Sequence, residues 1–220
     1  MSKDQFIMIA LDGGAGTGKS TTAHFLSKAL NLLHVDTGSH YRAVTRSFIN
    51  SGIKPAEVNQ YLIKNKFSLS SEIKERKSHL LVDQKNFEKS ELRSSEINAK
   101  VSDFSSLESV RSLLFDYQRS QVEFAKINKF NGIVMEGRDI GTIILPDAHL
   151  KIFLEADASV RSTRRNKDGE SDQIVNRDEK DSSRKIAPLS PASDSVLIDT
   201  GKRDIDEVMK LIMGLIRKIQ

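Results

Sequence analysis

The chain has no cysteine, and that absence removes disulfide frameworks, cysteine-ligated zinc and thiol nucleophiles together. It also fits a reducing compartment, so a cytoplasmic location is expected. Aromatic residues make up only 6% of the chain, and they do not interleave with the lysines scattered along its middle. A stacking platform for nucleic acid is therefore missing, and no nucleic-acid partner is expected. Long apolar runs are missing too. FIMIAL, residues 6–11, is shorter than the ~7–15-residue apolar region of a signal peptide and far shorter than the ~20 residues of a membrane span. No leader, anchor or membrane partner is expected.

What is present suffices for one substantial core: 38% of the 220 residues are apolar, and we expect a single domain over residues 1–220. A formal charge of +4 and a pI near 9.2 favour anionic partners. The arginines bunch at RSTRR (161–165) and between residues 177 and 184, which suits small phosphorylated molecules, because the planar guanidinium grips phosphate with two parallel donors. Five short apolar runs, FIMIAL (6–11), LLHV (32–35), GIVME (132–136), HLKIFL (149–154) and SVLID (195–199), alternate with helical patterns. Such runs read as buried parallel strands, giving an α/β fold with a doubly wound five-stranded parallel sheet. Helices are expected from Lys19 to about Leu30, after Gly38, from roughly Ser106 to Lys129, and from Asp204 to the end. The last carries a core stripe of Val208, Leu211, Ile212, Leu215 and Ile219. Residues 66–105 are polar, rich in serine and lysine, with one strand candidate at HLLV (79–82). They read as an insertion, and a solvated excursion with some local sheet explains most of them at least as well as a catalytic role does.

Residues 13–20, GGAGTGKS, follow the first strand run and open a helix. Glycines let successive backbone N–H groups turn inward around phosphate oxygens, the helix adds its positive end, and a lysine reaches the terminal phosphates. Gly13, Gly14, Ala15, Gly16, Thr17, Gly18, Lys19, Ser20 and Thr21 are thus expected to hold ATP, with the Ser20 hydroxyl on Mg²⁺. Switches, motors, hydrolases and kinases share such a loop. No base-reading Asn-Lys-x-Asp segment lies in a suitable place, and 220 residues are few for a motor. A kinase for a small acceptor needs a second anion site facing the loop.

That site has candidates. In DTGSHYR (36–42), Gly38 opens a helix and Arg42 lies one turn in, either gripping an acceptor phosphate or lying on the surface. EGRDIGT (136–142) puts Glu136, which can orient metal-bound water, beside Arg138 and Asp139. That Arg–Asp pair is either a structural ion pair or the donors and acceptor that a pyrimidine edge requires. Arg161, Arg164 and Arg165 fall on one helical face with no local acid, an arrangement that repels itself unless an anion visits. Arg177, Asp181 and Arg184 also form a stripe, which an ordinary helix pair worth ~0.3–0.5 kcal/mol explains equally.

In their order and spacing these pieces resemble the bacterial cytidylate kinases, within the nucleoside monophosphate kinases. The resemblance is carried by the phosphate loop, DTGSHYR, VSDFSSLESVRSLLFDYQR (101–119), EGRDIGTIILPDA (136–148), RSTRR, RDEKDSSR (177–184) with APL (187–189), and DSVLIDT (194–200). It implies a P-loop NTPase core made of residues 1–65 and 106–220, a monophosphate-binding insert at 66–105 and a lid at 161–184. It also implies ATP- and Mg²⁺-dependent phosphorylation of CMP and dCMP by a monomer. By position, Ser102, Arg111 and Asp139 would read the cytosine, and Arg42 and Arg138 would hold the acceptor phosphate. Thr37 would join this substrate site, and Arg177, Asp181 and Arg184 would meet the ribose and phosphate. Lys19, Arg138, Arg161 and Arg165 would supply catalytic charge. Two departures stand out: Gly14 occupies a position commonly held by proline, and NKDGESDQIVN between the two arginine groups is a shorter lid than usual. Alternatives are a kinase for UMP or another small acceptor, a nucleotide-dependent binding module, and a relative that binds nucleotide without turnover.

Overall fold

A computed structural model of the chain describes residues 6–167 and 174–219. Its first half runs β1 (Ile7–Gly13), α1 (Lys19–Leu30), β2 (Leu32–Asp36), α2 (Thr37–Asn50), α3 (Val58–Lys64), β3 (Leu69–Lys74), β4 (Lys77–Val82), α4 (Lys89–Leu92) and α5 (Ser95–Ser105). The second half runs α6 (Glu108–Ile127), β5 (Gly132–Gly137), a π-helical turn at Ile140–Ile144, β6 (Leu150–Glu155), α7 (Ala158–Lys167), α8 (Ile174–Ser182), β7 (Val196–Asp199) and α9 (Ile205–Ile219).

The five apolar runs become β2-β5-β1-β6-β7, parallel throughout. β2 and β5 are buried at every position, as strands covered on both faces must be. β1 lies between β5 and β6, so the chain's path reverses beside it and opens a crevice at the strands' carboxyl ends. Gly13, at the end of β1, and Glu136, near the end of β5, both lie on that rim.

The sheet has seven strands where five were expected. Residues 66–105 hold more sheet than the one strand candidate HLLV (79–82), which falls inside β4. β3 and β4 pair antiparallel over Leu69–Val82 to Lys74–Lys77, and β4 continues the sheet beyond β2 through His34–Lys77 and Val35–Ser78. In β4 the buried positions are Ser78, Leu80 and Val82, and a serine among them hides the alternation from a sequence reading. α5 buries Ile97, Val101 and Phe104 in a cluster with residues of α2 and α6, the Phe104 ring stacking 5.8 Å from that of Phe48. Each such apolar side chain contributes about 1.5–3 kcal/mol.

The two faces of the sheet are covered by separate clusters, one with α1 and α9 and one with α6 and the π-helical turn. On α9 the inward positions are Val208, Ile212 and Ile216, a strict i, i+4, i+8 row, whereas Leu211, expected inside, is 44% exposed. No helix among the described residues is long and apolar enough to cross a membrane.

Candidate active site

The loop between β1 and α1 is shaped by its glycines. Gly18 caps α1 at φ +91°, a left-handed conformation open to glycine and costly to other residues, so the first turn's N–H groups face the loop. The Lys19 ammonium folds back onto the carbonyls of Gly13 (2.8 Å) and Gly14 (2.7 Å), and the buried Thr17 hydroxyl donates to Gly14 O at 2.9 Å. Burial pushes the Lys19 pKa down to about 7, with the Arg138 charge adding to the effect and Glu136, Asp178 and Asp12 partly opposing it. Ser20 donates its hydroxyl to Glu136 Oε2 at 2.8 Å, while Glu136 Oε1 pairs with the buried His34 Nε2 at 2.8 Å. Thr21 follows, exposed. Asp12, just ahead of the loop, accepts the N–H groups of Ile140 (2.9 Å) and Gly141 (2.8 Å) and so ties the π-helical turn to β1. Burial raises its pKa to about 6 in spite of those two bonds.

Next to the loop lies a cluster of buried charges. Thr37 donates its hydroxyl to Glu136 O at 2.9 Å. Asp36 caps α2 by accepting Ser39 N–H (3.1 Å) and pairs with Lys77 at 3.1 Å; burial opposes its ionisation, but Lys77, Arg93 and His34 hold its pKa well below the usual range. Arg42 is buried, and its Nη1 donates to Leu92 O at 2.9 Å and Asn98 Oδ1 at 2.6 Å. Arg111 is bonded to Asp139 Oδ2, donates to Ser105 O at 3.3 Å and lies over the Tyr41 ring at 5.5 Å. Burial raises the Asp139 pKa, and the Arg111 and Arg184 charges do not cancel the effect. Ser102 is buried one turn before Ser105. Arg184 donates to Ser105 Oγ at 2.8 Å and is bonded to Asp181. Arg138 joins this cluster to the loop: its Nε donates to Asp181 Oδ2 at 2.9 Å, its Nη1 is bonded to the Gly13 carbonyl, and its Nη2 lies 3.3 Å from Asp178 Oδ1.

Arg161 lies against the loop from α7. Its Nη1 donates to Ala15 O at 3.1 Å and is bonded to Asp178, and its Nε donates to Ala156 O at 3.0 Å. Arg165, on the same helix, is buried. Among the described residues no group of three or more His, Cys, Asp or Glu is placed to hold a metal. A magnesium site asks for less, one or two hard oxygens with the substrate phosphates completing the shell, and Ser20 Oγ and Glu136 Oε2, 2.8 Å apart, are a donor set of that kind.

A family model described as cytidylate kinase matches residues 9–218. The chain belongs to the cytidylate kinase family. A protein named cytidylate kinase from Acholeplasma laidlawii (strain PG-8A) is 37% identical over 220 residues, 95% of this chain and 94% of that one. One of the same name from Clostridium botulinum (strain Langeland) is 37% identical over 224 residues, 96% of this chain and 98% of that one. Among solved structures, an unliganded sugar kinase from Janibacter sp. HTCC2649 matches with a TM-score of 0.53 at 10% identity, covering 96% of this chain and 95% of that one. That likeness speaks for the fold alone.

Within this cytidylate kinase family member, the residues picked from sequence occupy two adjoining places. Residues 13–20 form the loop, while Arg138, Asp181 and Arg184 make one set of ion pairs and Arg111 with Asp139 another, the two meeting at Ser105, which accepts from Arg111 and Arg184. Arg42 is tied to the insert. Arg164, expected on a phosphate-facing arginine face, turns elsewhere: Nη1 and Nη2 donate to Thr200 at 3.1 and 2.7 Å, fastening α7 to the end of β7. The Arg177 side chain lies outside the described residues, as do positions 168–173 of the short connection. Sequence reading missed Asp12, His34, Ser105 and Asp178. Asp178 had a signal, since it precedes Asp181 by three residues and so shares its helix face; His34 had none.

Proposed function

We propose that this protein transfers the γ-phosphoryl group of ATP to CMP and dCMP, giving the diphosphates, in pyrimidine nucleotide metabolism. The observation that carries the reading is the position of Arg138, one guanidinium bonded to the Gly13 carbonyl of the phosphate loop and to Asp181 of the buried charge cluster. A group there touches both anions of a phosphoryl transfer. In this reading the fold is a P-loop NTPase core (1–65 and 106–220), residues 66–105 are the monophosphate-binding insert, residues 161–184 are the lid, and the protein acts as a monomer.

The acceptor is already an ionised phosphate, so no general base is needed. The transition state is loose, and it asks for in-line placement and for positive charge around the moving group. Residues 13–21 hold the ATP phosphates through backbone N–H groups and the α1 terminus. Lys19, Arg138, Arg161 and Arg165 supply charge. Ser20 and Glu136 are the residues that would hold Mg²⁺, which when bound neutralises charge on the donor phosphates. Thr37, Arg42 and Arg138 position the acceptor phosphate, and Arg177, Asp181 and Arg184 meet its ribose and phosphate. Ser102, Arg111 and Asp139 read the base. Arg111 is bonded to Asp139, so a pyrimidine edge meets donors and an acceptor already fixed in place.

The test is to supply ATP with each nucleoside monophosphate in turn while following both ADP and the new diphosphate. CDP from CMP and dCDP from dCMP are expected, with UMP a poor acceptor. ADP without a cytidine diphosphate would overturn the reading. Asp139→Ala should lower kcat/KM for CMP more than for UMP. The substitution leaves Arg111 buried without its partner, at a cost of about 3–5 kcal/mol, so both acceptors are compared on the same folded variant. Equal losses would remove the base-reading role.

A further inference from the structure

Among the described residues, Asp178 is the acid in contact with the phosphate loop's own N–H groups. Its Oδ1 accepts Ala15 N–H at 3.1 Å and lies 3.3 Å from Arg138 Nη2, and its Oδ2 is bonded to Arg161. A backbone N–H in a glycine loop and two guanidinium groups are the donors that bind a phosphate oxygen. The carboxylate is 14% exposed, set among these groups. Of the three arginines grouped on α7, Arg161 thus meets an anion supplied by the chain. Gly14 makes the room: a Cβ there would lie 2.8 Å from Arg161 Nη1 and 2.8 Å from Asp178 Oδ2.

We propose that the Asp178 carboxylate is a built-in stand-in for a donor phosphate, which competes with ATP for the loop and is withdrawn when an acceptor engages Asp181. This rests on the kinase reading above. The carboxylate and a phosphate cannot share these donors, because two anions a few ångströms apart in a partly buried site repel strongly. One of them has to leave. Asp178 and Asp181 lie three residues apart on α8 and both hold Arg138, Asp181 also holding Arg184. A sugar and phosphate that recruit Asp181 and Arg184 therefore break the ion pairs that hold Asp178 in place. The loop opens to ATP where an acceptor is ready to receive the phosphoryl group, and the coupling is reciprocal, as any linkage between two binding sites must be.

The experiment is a calorimetric titration of the full chain with a non-hydrolysable ATP analogue and Mg²⁺, with and without saturating CMP. It is run on the wild-type protein, Asp178→Ala and Asp178→Asn. Wild type should bind the analogue about 5-fold or more tighter when CMP is present. Asp178→Ala should bind it about 10-fold tighter than wild type without CMP, and CMP should then add less than about 2-fold. Asp178→Asn, which keeps the shape and loses the charge, should lie between the two. Analogue binding by the variants equal to or weaker than wild type, or a CMP effect unchanged by substitution, overturns the proposal; if the alanine variant does not fold, the asparagine variant decides. CMP turnover by the wild type is assayed in parallel, so a failed kinase reading shows as missing CDP while the analogue affinities still report on Asp178.

Discussion

The phosphate loop and the charge cluster beside it lie on one rim of the sheet and are built by opposite means. The loop is eight consecutive residues whose chemistry is mostly backbone: N–H groups, the end of α1, and one lysine folded onto two carbonyls. The cluster draws Arg42 from α2, Ser102 and Ser105 from α5, Arg111 from α6, Arg138 and Asp139 from the end of β5, and Asp181 and Arg184 from in and beyond α8. Backbone donors cost nothing to orient once the turn is made. Buried ion pairs carry desolvation costs that their attraction only partly repays, so they suit specificity better than stability. On the proposed reading, the difference teaches that holding a phosphate needs only a local turn, whereas choosing an acceptor needs residues from most of the fold.

Arg138 is where the comparison is most easily broken, because it belongs to both regions. Arg138→Ala should lower kcat for CMP about 10³-fold or more, the scale on which an arginine at the transferring group acts. Steady-state kinetics with a circular dichroism control check this. A loss under about 10-fold would mean that the two regions act without a shared charge.

A smaller effect separates the regions by pH. The free protein's Lys19 titrates at about 7, so above that pH it is largely neutral, while ATP phosphates favour its protonated form. ATP binding should therefore take up a proton on the alkaline side of pH 7, and its affinity should fall as pH rises, by up to about 10-fold per pH unit until the pKa of the complex is reached. Titrations in two buffers of different ionisation enthalpy measure the uptake. CMP binding should show no such uptake, because the cations that would face it in the proposed site, Arg42, Arg111, Arg138 and Arg184, keep their protons throughout. Proton uptake by CMP and none by ATP would reverse the assignment of the regions.

How much of this was legible follows from the same contrast. The loop could be read because glycine spacing, a preceding strand and a following helix are all local, and the five core strands because each is a short apolar run. Of the β3–β4 hairpin only HLLV (79–82), inside β4, was legible, since β3 is polar and a strand that buries Ser78 shows no clean alternation. The direction of Arg164 depends on where β7 ends, and the contact of Asp178 with Ala15 spans 163 residues. Helical spacing puts arginines on a face; it does not say what that face meets.

His40 tests the cost of the cluster at its smallest scale. It lies on α2 two residues before Arg42, fully buried, with its ring 5.2 Å from that of Tyr117, and neither ring nitrogen has a hydrogen-bond partner among the described residues. Burial lowers its pKa to about 4; Asp36 opposes this, while Lys77 and His79 reinforce it. Two unsatisfied nitrogens should make the neutral ring a burden, so His40→Met, similar in volume and apolar, is expected to stabilise the protein by about 1 kcal/mol at neutral pH. The unfolded imidazole takes up a proton near pH 6.5 and the folded one only near 4, so wild-type stability is lost as pH falls between these values. The Met variant lacks that loss, and its advantage should grow by about 2 kcal/mol at pH 5, read from urea unfolding at the two pH values. An advantage that shrinks in acid would mean the imidazole is satisfied where it lies, and that the acceptor side is as inexpensive to build as the loop.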